Sequence, residues 1–211
     1  MSALKAGRIL GAAVATAWVL SALVGTRHAS AGPCPDVEVI FARGTDEPPG
    51  VGPTGQAFVD SLRSIAPGRS VGIYAVNYPA TDDFARSVSA GAADARARVQ
   101  STAADCPDTR MVLGGYSQGA GVIDIITEEL PPEVANHVAA VAVFGNPEST
   151  YASTLGGRQI PTISPLYRPK TIDLCVPNDP ICSEGTDSSA HQLYVQSGMT
   201  NQAAMFVAQK L

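Results

Sequence analysis

The chain alternates two kinds of hydrophobic pattern. Short, nearly continuous apolar runs recur at VEVIFA (Val37–Ala42), VGIYAVNY (Val71–Tyr78), MVLGG (Met111–Gly115), HVAAVAVFG (His137–Gly145) and TIDLC (Thr171–Cys175). Runs of this length, bounded by turn residues, predict strands, and their lack of polar alternation suits strands buried on both faces. Between them lie longer stretches with apolar residues at helical spacing. TGQAFVDSLRSIA predicts a helix with Thr54 as its N-cap and Phe58, Leu62 and Ile65 on one face. TDDFARSVSAGAADARARVQSTAA predicts a long Ala-rich helix capped by Thr81 or Asp82, and QGAGVIDIITEEL one stopped by Pro131 and Pro132. From His191 to Leu211 the pattern is mostly helical, with a break at Gly198, and residues 146–170, rich in Pro, Ser, Thr and Gly, read as a surface excursion.

Strands alternating with helices predict a parallel sheet covered on both faces, a three-layer αβα sandwich with five strands. In such a sheet function gathers beyond the carboxyl ends of the strands. Each candidate residue can therefore be tested by whether it follows a strand or precedes one.

Composition narrows the function classes. The chain of 211 residues has 45% hydrophobic residues, enough for one sizeable core, and a net charge of −5 without a basic run, which argues against nucleic acid as a partner. Lys5 and Arg8 precede an apolar segment from Ile9 to about Gly25, and HASAG supplies Ala29 and Ala31 in an A-x-A cleavage pattern. This predicts a secretory signal over residues 1–31 and a secreted domain over 32–211. The alternative, a retained membrane anchor, fits less well, because the segment is short and Ala/Gly-rich for a span of ~20 residues. Cleavage would leave 11 basic against 19 acidic residues, a charge of −8, on a soluble chain with no stable membrane insertion, expected to be a monomer.

All four cysteines lie in the predicted mature part, and an even count in an exported chain points to two disulfides. Three pairings are possible. Cys175 and Cys182 bracket a short loop and are paired locally, which leaves Cys34 with Cys106. Zinc binding is the weaker reading, since the spacing is wrong and the mature part keeps only two histidines.

The stretch GGYSQGAGV, Gly114 to Val122, places Ser117 between glycines directly after a predicted strand and before a predicted helix. G-x-S-x-G in that context is a nucleophile elbow, in which a tight turn lifts the serine hydroxyl above the sheet. The five-residue pattern alone is weak, and its position carries the argument. A nucleophilic serine needs a base, and the base an orienting acid. His28 leaves with the signal and His137 precedes a strand, so His191 is the candidate base. Asp124, two helical turns past Ser117, points away. Asp173 lies within a strand, and Asp187 sits in a polar loop without rigid support. Asp179 follows the last strand in CVPNDPIC, stiffened by prolines and the predicted bridge, and is the candidate acid. For the oxyanion, the backbone N–H of Gln118 supplies one donor, and Thr45, in the loop after the first strand, the other.

Together these residues resemble the cutinase family, and within it the actinobacterial, mycobacterial-type cutinase-like serine esterases. The resemblance covers nearly all of the predicted mature chain and rests on FARGT, CPDTRMVLGGYSQGA, CVPNDPIC and AHQLYVQSGMTNQAA. It implies a small α/β-hydrolase fold without a large lid and without a cofactor or metal. The catalytic residues it implies are Ser117, Asp179 and His191, with Thr45 and Gln118 at the oxyanion and disulfides Cys34–Cys106 and Cys175–Cys182. The rim departs from fungal members: PATDDF and SEGTDSSA are polar and acidic, and burying carboxylates against lipid is costly. The expected activity is hydrolysis of short- to medium-chain acyl esters through an acyl-enzyme, falling below about pH 6–7, where imidazoles protonate. Alternatives are a lipase, phospholipase or acyltransferase with the same residues, or a catalytically silent secreted binding protein.

Overall fold

The computed structural model describes residues 34–157 and 161–211; the predicted signal sequence lies outside them. Five strands, β1 (Val37–Ala42), β2 (Val71–Ala75), β3 (Arg110–Tyr116), β4 (Val138–Phe144) and β5 (Thr171–Leu174), form one sheet in the order β2-β1-β3-β4-β5. Every pairing is parallel. The helices are α1 (Gly52–Ile65), α2 (Phe84–Asp105), α3 (Gln118–Glu129), α4 (Pro132–Ala135), α5 (Thr150–Gly156) and α6 (Met199–Ala208).

The period of two along a strand divides the core. Val37, Val39 and Phe41 of β1 face α1 and α6, where they meet Phe58, Leu62 and Val207. Ile40 and Ala42 face α2 and α3, where they join Val88, Val99 and Ile123. Both faces of the strand are thus largely apolar, which is why its sequence lacks sustained alternation; the exception, Glu38, is buried on the α2 side, where it accepts from Arg98 and from the Thr102 hydroxyl. The αβα sandwich is therefore present as expected, with Cys34–Cys106 tying the start of β1 to the end of α2 and Cys175–Cys182 closing the loop after β5.

Several boundaries differ from the sequence expectation. The second strand ends at Ala75, not Tyr78. Val76 N–H still bonds to Phe41 O at 2.9 Å, but Asn77 N–H turns to the Asp94 carboxylate at 2.8 Å and the Tyr78 carbonyl is taken by Arg43 Nη2 at 2.9 Å. Helix α1 starts at Gly52 with Val51 at its N-cap, and Thr54 is buried inside it rather than capping it, because Pro53 lacks an N–H and suits the first turn. Asp83, not Thr81 or Asp82, occupies the N-cap of α2, and no side chain caps it. Residues 146–170 are not only a surface excursion: they include α5, and Ile163 and Tyr167 enter the core beside α3. The C-terminal region is a short 3₁₀ turn over Ala190–Gln192 and then α6, separated at Gly198, which adopts φ +77° as the helix N-cap.

Candidate active site

The elbow shows why glycines flank the serine. Ser117 links β3 to α3 at φ 55°, ψ −120°, a conformation side chains resist. A Cβ on Gly115 would stand 2.3 Å from Gly119 O, and one on Gly119 would stand 2.0 Å from Ala42 O. Strand and helix pack backbone to backbone here, and no larger residue fits. The turn is pinned by Ser117 N–H donating to Phe144 O at 2.8 Å.

Three sequence-singled residues from three loops meet above the sheet. His191 Nε2 lies 2.8 Å from Ser117 Oγ, and His191 Nδ1 lies 2.7 Å from Asp179 Oδ2. Asp179 is fully buried. Burial alone would raise its pKa, but hydrogen bonds from His191, the Tyr194 hydroxyl and the Ile181 N–H outweigh burial and hold it below the usual carboxylate value. An ionised Asp179 can only accept, so Nδ1 carries the imidazole hydrogen and Nε2 is left free to accept from Ser117.

The imidazole is held on several sides by groups the sequence reading did not single out. Tyr116 stacks on His191 with ring centroids 5.0 Å apart and donates its hydroxyl to His191 O at 2.7 Å. Tyr194, edge-on to His191, donates its hydroxyl to Asp179 Oδ2 at 2.5 Å. Behind the ring is Gly145, where a Cβ would come within 2.8 Å of His191 Cε1. In the sequence Tyr194 was visible only as an aromatic three residues after the histidine. His137 sits at the opposite end of β4, with Nδ1 3.2 Å from Pro107 O.

Thr45 and Gln118 also come together. The Gln118 side chain is buried and fixed: Nε2 donates to Thr81 O at 2.8 Å, and Oε1 accepts from Ser87 Oγ at 2.7 Å. Thr81 O can only accept, which settles the amide orientation. Nε2 also donates to Thr45 Oγ1 at 3.3 Å, which leaves the Thr45 hydroxyl hydrogen uncommitted by this bond. The sequence points only to the Gln118 backbone; the structure adds its side chain, which contacts the Thr45 hydroxyl as well. The Thr45 loop is braced by Glu47, whose carboxylate accepts from Gly44 N–H at 2.7 Å. Burial pushes the Glu47 pKa up.

Ser117 opens into a cleft of about 310 Å³. Phe84 and Val88 of α2 form one side of it, and Pro147, Ala152 and Leu155 form much of the other. The acidic rim stretches contribute little to the interior beyond Phe84, whereas α5, hidden in the presumed excursion, contributes a wall. Among the described residues no cluster of three or more His, Cys, Asp or Glu side chains is placed to hold a metal ion.

Asp124 is not among the groups bonded to Ser117, His191 or Asp179. It is buried within α3, and its Oδ1 accepts from Asn146 Nδ2 at 3.4 Å, which ties α3 to the segment behind His191. Desolvation, reinforced by Asp173 and Glu148, raises its pKa to about 8. An acid raised in the folded state takes up a proton on folding. Its favourable contribution is complete below about pH 4, drains away as the pH rises to about 8, and is absent above that. Asp124→Asn keeps the shape and the acceptor but cannot ionise. It is expected to melt near the parent temperature at pH 5 and ~5 °C or more above it at pH 9. Melting curves of the two proteins that stay parallel from pH 5 to 9 would sink the assignment.

A sequence model described as Cutinase matches residues 33–211. The chain is 59% identical over 206 residues to carboxylesterase Culp1 of Mycobacterium bovis, covering 97% of this chain and 95% of that protein. It is 49% identical to phospholipase Culp4 of Mycobacterium tuberculosis, covering 96% and 90%. Among solved structures, Trichoderma reesei cutinase in complex with a phosphonate inhibitor superposes with TM-score 0.69 at 32% identity, covering 84% of this chain and 77% of that one.

Proposed function

The chain belongs to the cutinase family, and on that premise we propose that its carboxylic ester hydrolase activity runs on Ser117, His191 and Asp179 through an acyl-enzyme, with short- to medium-chain acyl esters as substrates. The observation that carries this reading is the unbroken relay of 2.7 Å from Asp179 to His191 and 2.8 Å from His191 to Ser117. In the first half-reaction Ser117 Oγ attacks the ester carbonyl while His191 Nε2 takes its proton. Asp179 stabilises the imidazolium, and the Gln118 N–H and Thr45 hydroxyl receive the oxyanion. His191 then returns the proton to the leaving alcohol. Water, activated in the same way, attacks the acyl-Ser117 carbonyl and releases the acid and the free serine.

The two disulfides belong to an oxidising, non-cytosolic compartment. No helix among the described residues is long and apolar enough to cross a membrane. We propose secretion after removal of residues 1–31. A phospholipase reading has the Culp4 likeness in its favour, together with Tyr151 and Leu155, which are 54% and 43% exposed beside the cleft.

The test pairs p-nitrophenyl esters from acetate to palmitate with a p-nitrophenyl alkylphosphonate. The expected result is ester turnover, release of one equivalent of p-nitrophenol from the phosphonate, and a mass increase confined to the peptide bearing Ser117. Labelling elsewhere, or none in folded protein, overturns the proposal. Rates climbing steeply to the sixteen-carbon ester would replace the short- to medium-chain preference with the lipase reading.

A further inference from the structure

The cleft beside Ser117 has two unlike halves. Its polar end holds the reacting groups. The rest is lined by Phe84, Val88, Pro147, Ala152, Leu155 and Ile181, and no charged side chain lines it among the described residues. An uncharged, flexible chain is the occupant such a surface favours, since a charged group would be desolvated there without a partner. The whole cleft, polar end included, measures about 310 Å³, at the small end of the range for small-molecule sites and not a long channel.

One wall of this cleft is a single face of α5. Ala152, Leu155 and Gly156 all line it, the i, i+3, i+4 spacing of one helical stripe. The near end of that helix is fixed to the loop that carries Asp179. Ser149 Oγ caps it, accepting from Ala152 N–H at 2.9 Å, and donates to Pro180 O at 2.5 Å. Ser149 N–H donates to Ile181 O at 3.1 Å. The wall therefore stands in a set place relative to the reacting atoms, and its smallest residue lies at the far end. Among the described residues a Cβ on Gly156 would meet nothing within 4 Å, and its backbone is not in the left-handed region.

We propose that this face of α5 selects the acyl chain: Gly156 leaves the space that the distal methylenes of a medium-length chain occupy, and Leu155 flanks it. The inference rests on the esterase reading above and adds to it the residues that set chain length. A side chain at position 156 projects on the same face as Ala152, into the cleft, and shortens it without straining the helix.

The test compares kcat/KM across p-nitrophenyl acetate, butyrate, octanoate and decanoate for the parent protein, Gly156→Leu, Leu155→Ala and Thr154→Leu, the last placing the same bulk on the opposite face. In Gly156→Leu the decanoate-to-acetate ratio is expected to fall at least ~10-fold. Leu155→Ala moves the preferred length upward, and Thr154→Leu leaves the ratio at the parent value. A ratio unchanged in Gly156→Leu, or lowered equally in Thr154→Leu, overturns the wall while leaving the esterase reading intact. Absence of acetate turnover in the folded parent overturns the esterase reading itself.

Discussion

Replacing Ser117 with alanine is expected to lower kcat on a p-nitrophenyl ester by on the order of 10⁶ and leave the fold unchanged. The magnitude follows from losing the nucleophile: His191 and the oxyanion donors remain, but no acyl-enzyme can form. The elbow adds a second readout. At φ 55°, ψ −120° any side chain is strained, at a cost of about 1–3 kcal/mol. Alanine keeps that strain and glycine relieves it, against roughly 1 kcal/mol of extra chain entropy lost on folding. Ser117→Gly should therefore be equally inactive and melt at or above the temperature of Ser117→Ala. If alanine at this position retains more than a trace of burst and turnover, the nucleophile lies elsewhere. If glycine melts well below alanine, the strain inferred from the backbone is not there.

The parts of this architecture legible in the sequence are those whose cause is local. Strand β1 is legible to the residue because burial on both faces makes five of the six residues Val37–Ala42 apolar, the exception being Glu38, which is buried against Arg98 and Thr102. Ser117 stands out as a candidate because a backbone that touches at Gly115 and Gly119 leaves a glycine imprint. Asp179 stands out as a candidate because prolines and cysteines lie within a few residues of it. What stayed hidden was set by tertiary contact. Helix α5 is seven residues long, too short to show a period, and its Ser, Thr and Gly content resembles a loop. Its apolar positions acquire meaning only when α2 stands across the cleft. The side chain of Gln118, a residue chosen for its backbone N–H alone, and the hydroxyl of Tyr194 look ordinary in sequence, because the groups they hold lie on other loops.

Replacing Asp179 with asparagine is expected to lower kcat by about 10⁴ with little change in KM. The cause is a conflict of donors. Asp179 Oδ1 accepts from Ile181 N–H at 2.8 Å, while Oδ2 accepts from both His191 Nδ1 and the Tyr194 hydroxyl. An asparagine can satisfy the Ile181 N–H with its carbonyl, but its NH₂ then faces the imidazole. Tyr194 can rotate its hydroxyl to accept. His191 can accept only by moving its hydrogen from Nδ1 to Nε2, which presents Ser117 with a donor where a base is needed. The reversed amide spares the imidazole but sets NH₂ against N–H in a buried site, at about 1–3 kcal/mol, so the first arrangement prevails. Stability should separate this from simple damage. Asp179→Asn keeps every buried group partnered and should melt within a few degrees of the parent, whereas Asp179→Ala strands three donors and should melt well below both. Phosphonate labelling of Ser117 should slow in step with kcat. An Asp179→Asn protein that keeps a tenth or more of parental turnover would mean that the Tyr116 stack and its bond to the His191 carbonyl orient the imidazole without the carboxylate, and the role given to Asp179 would pass to Tyr116.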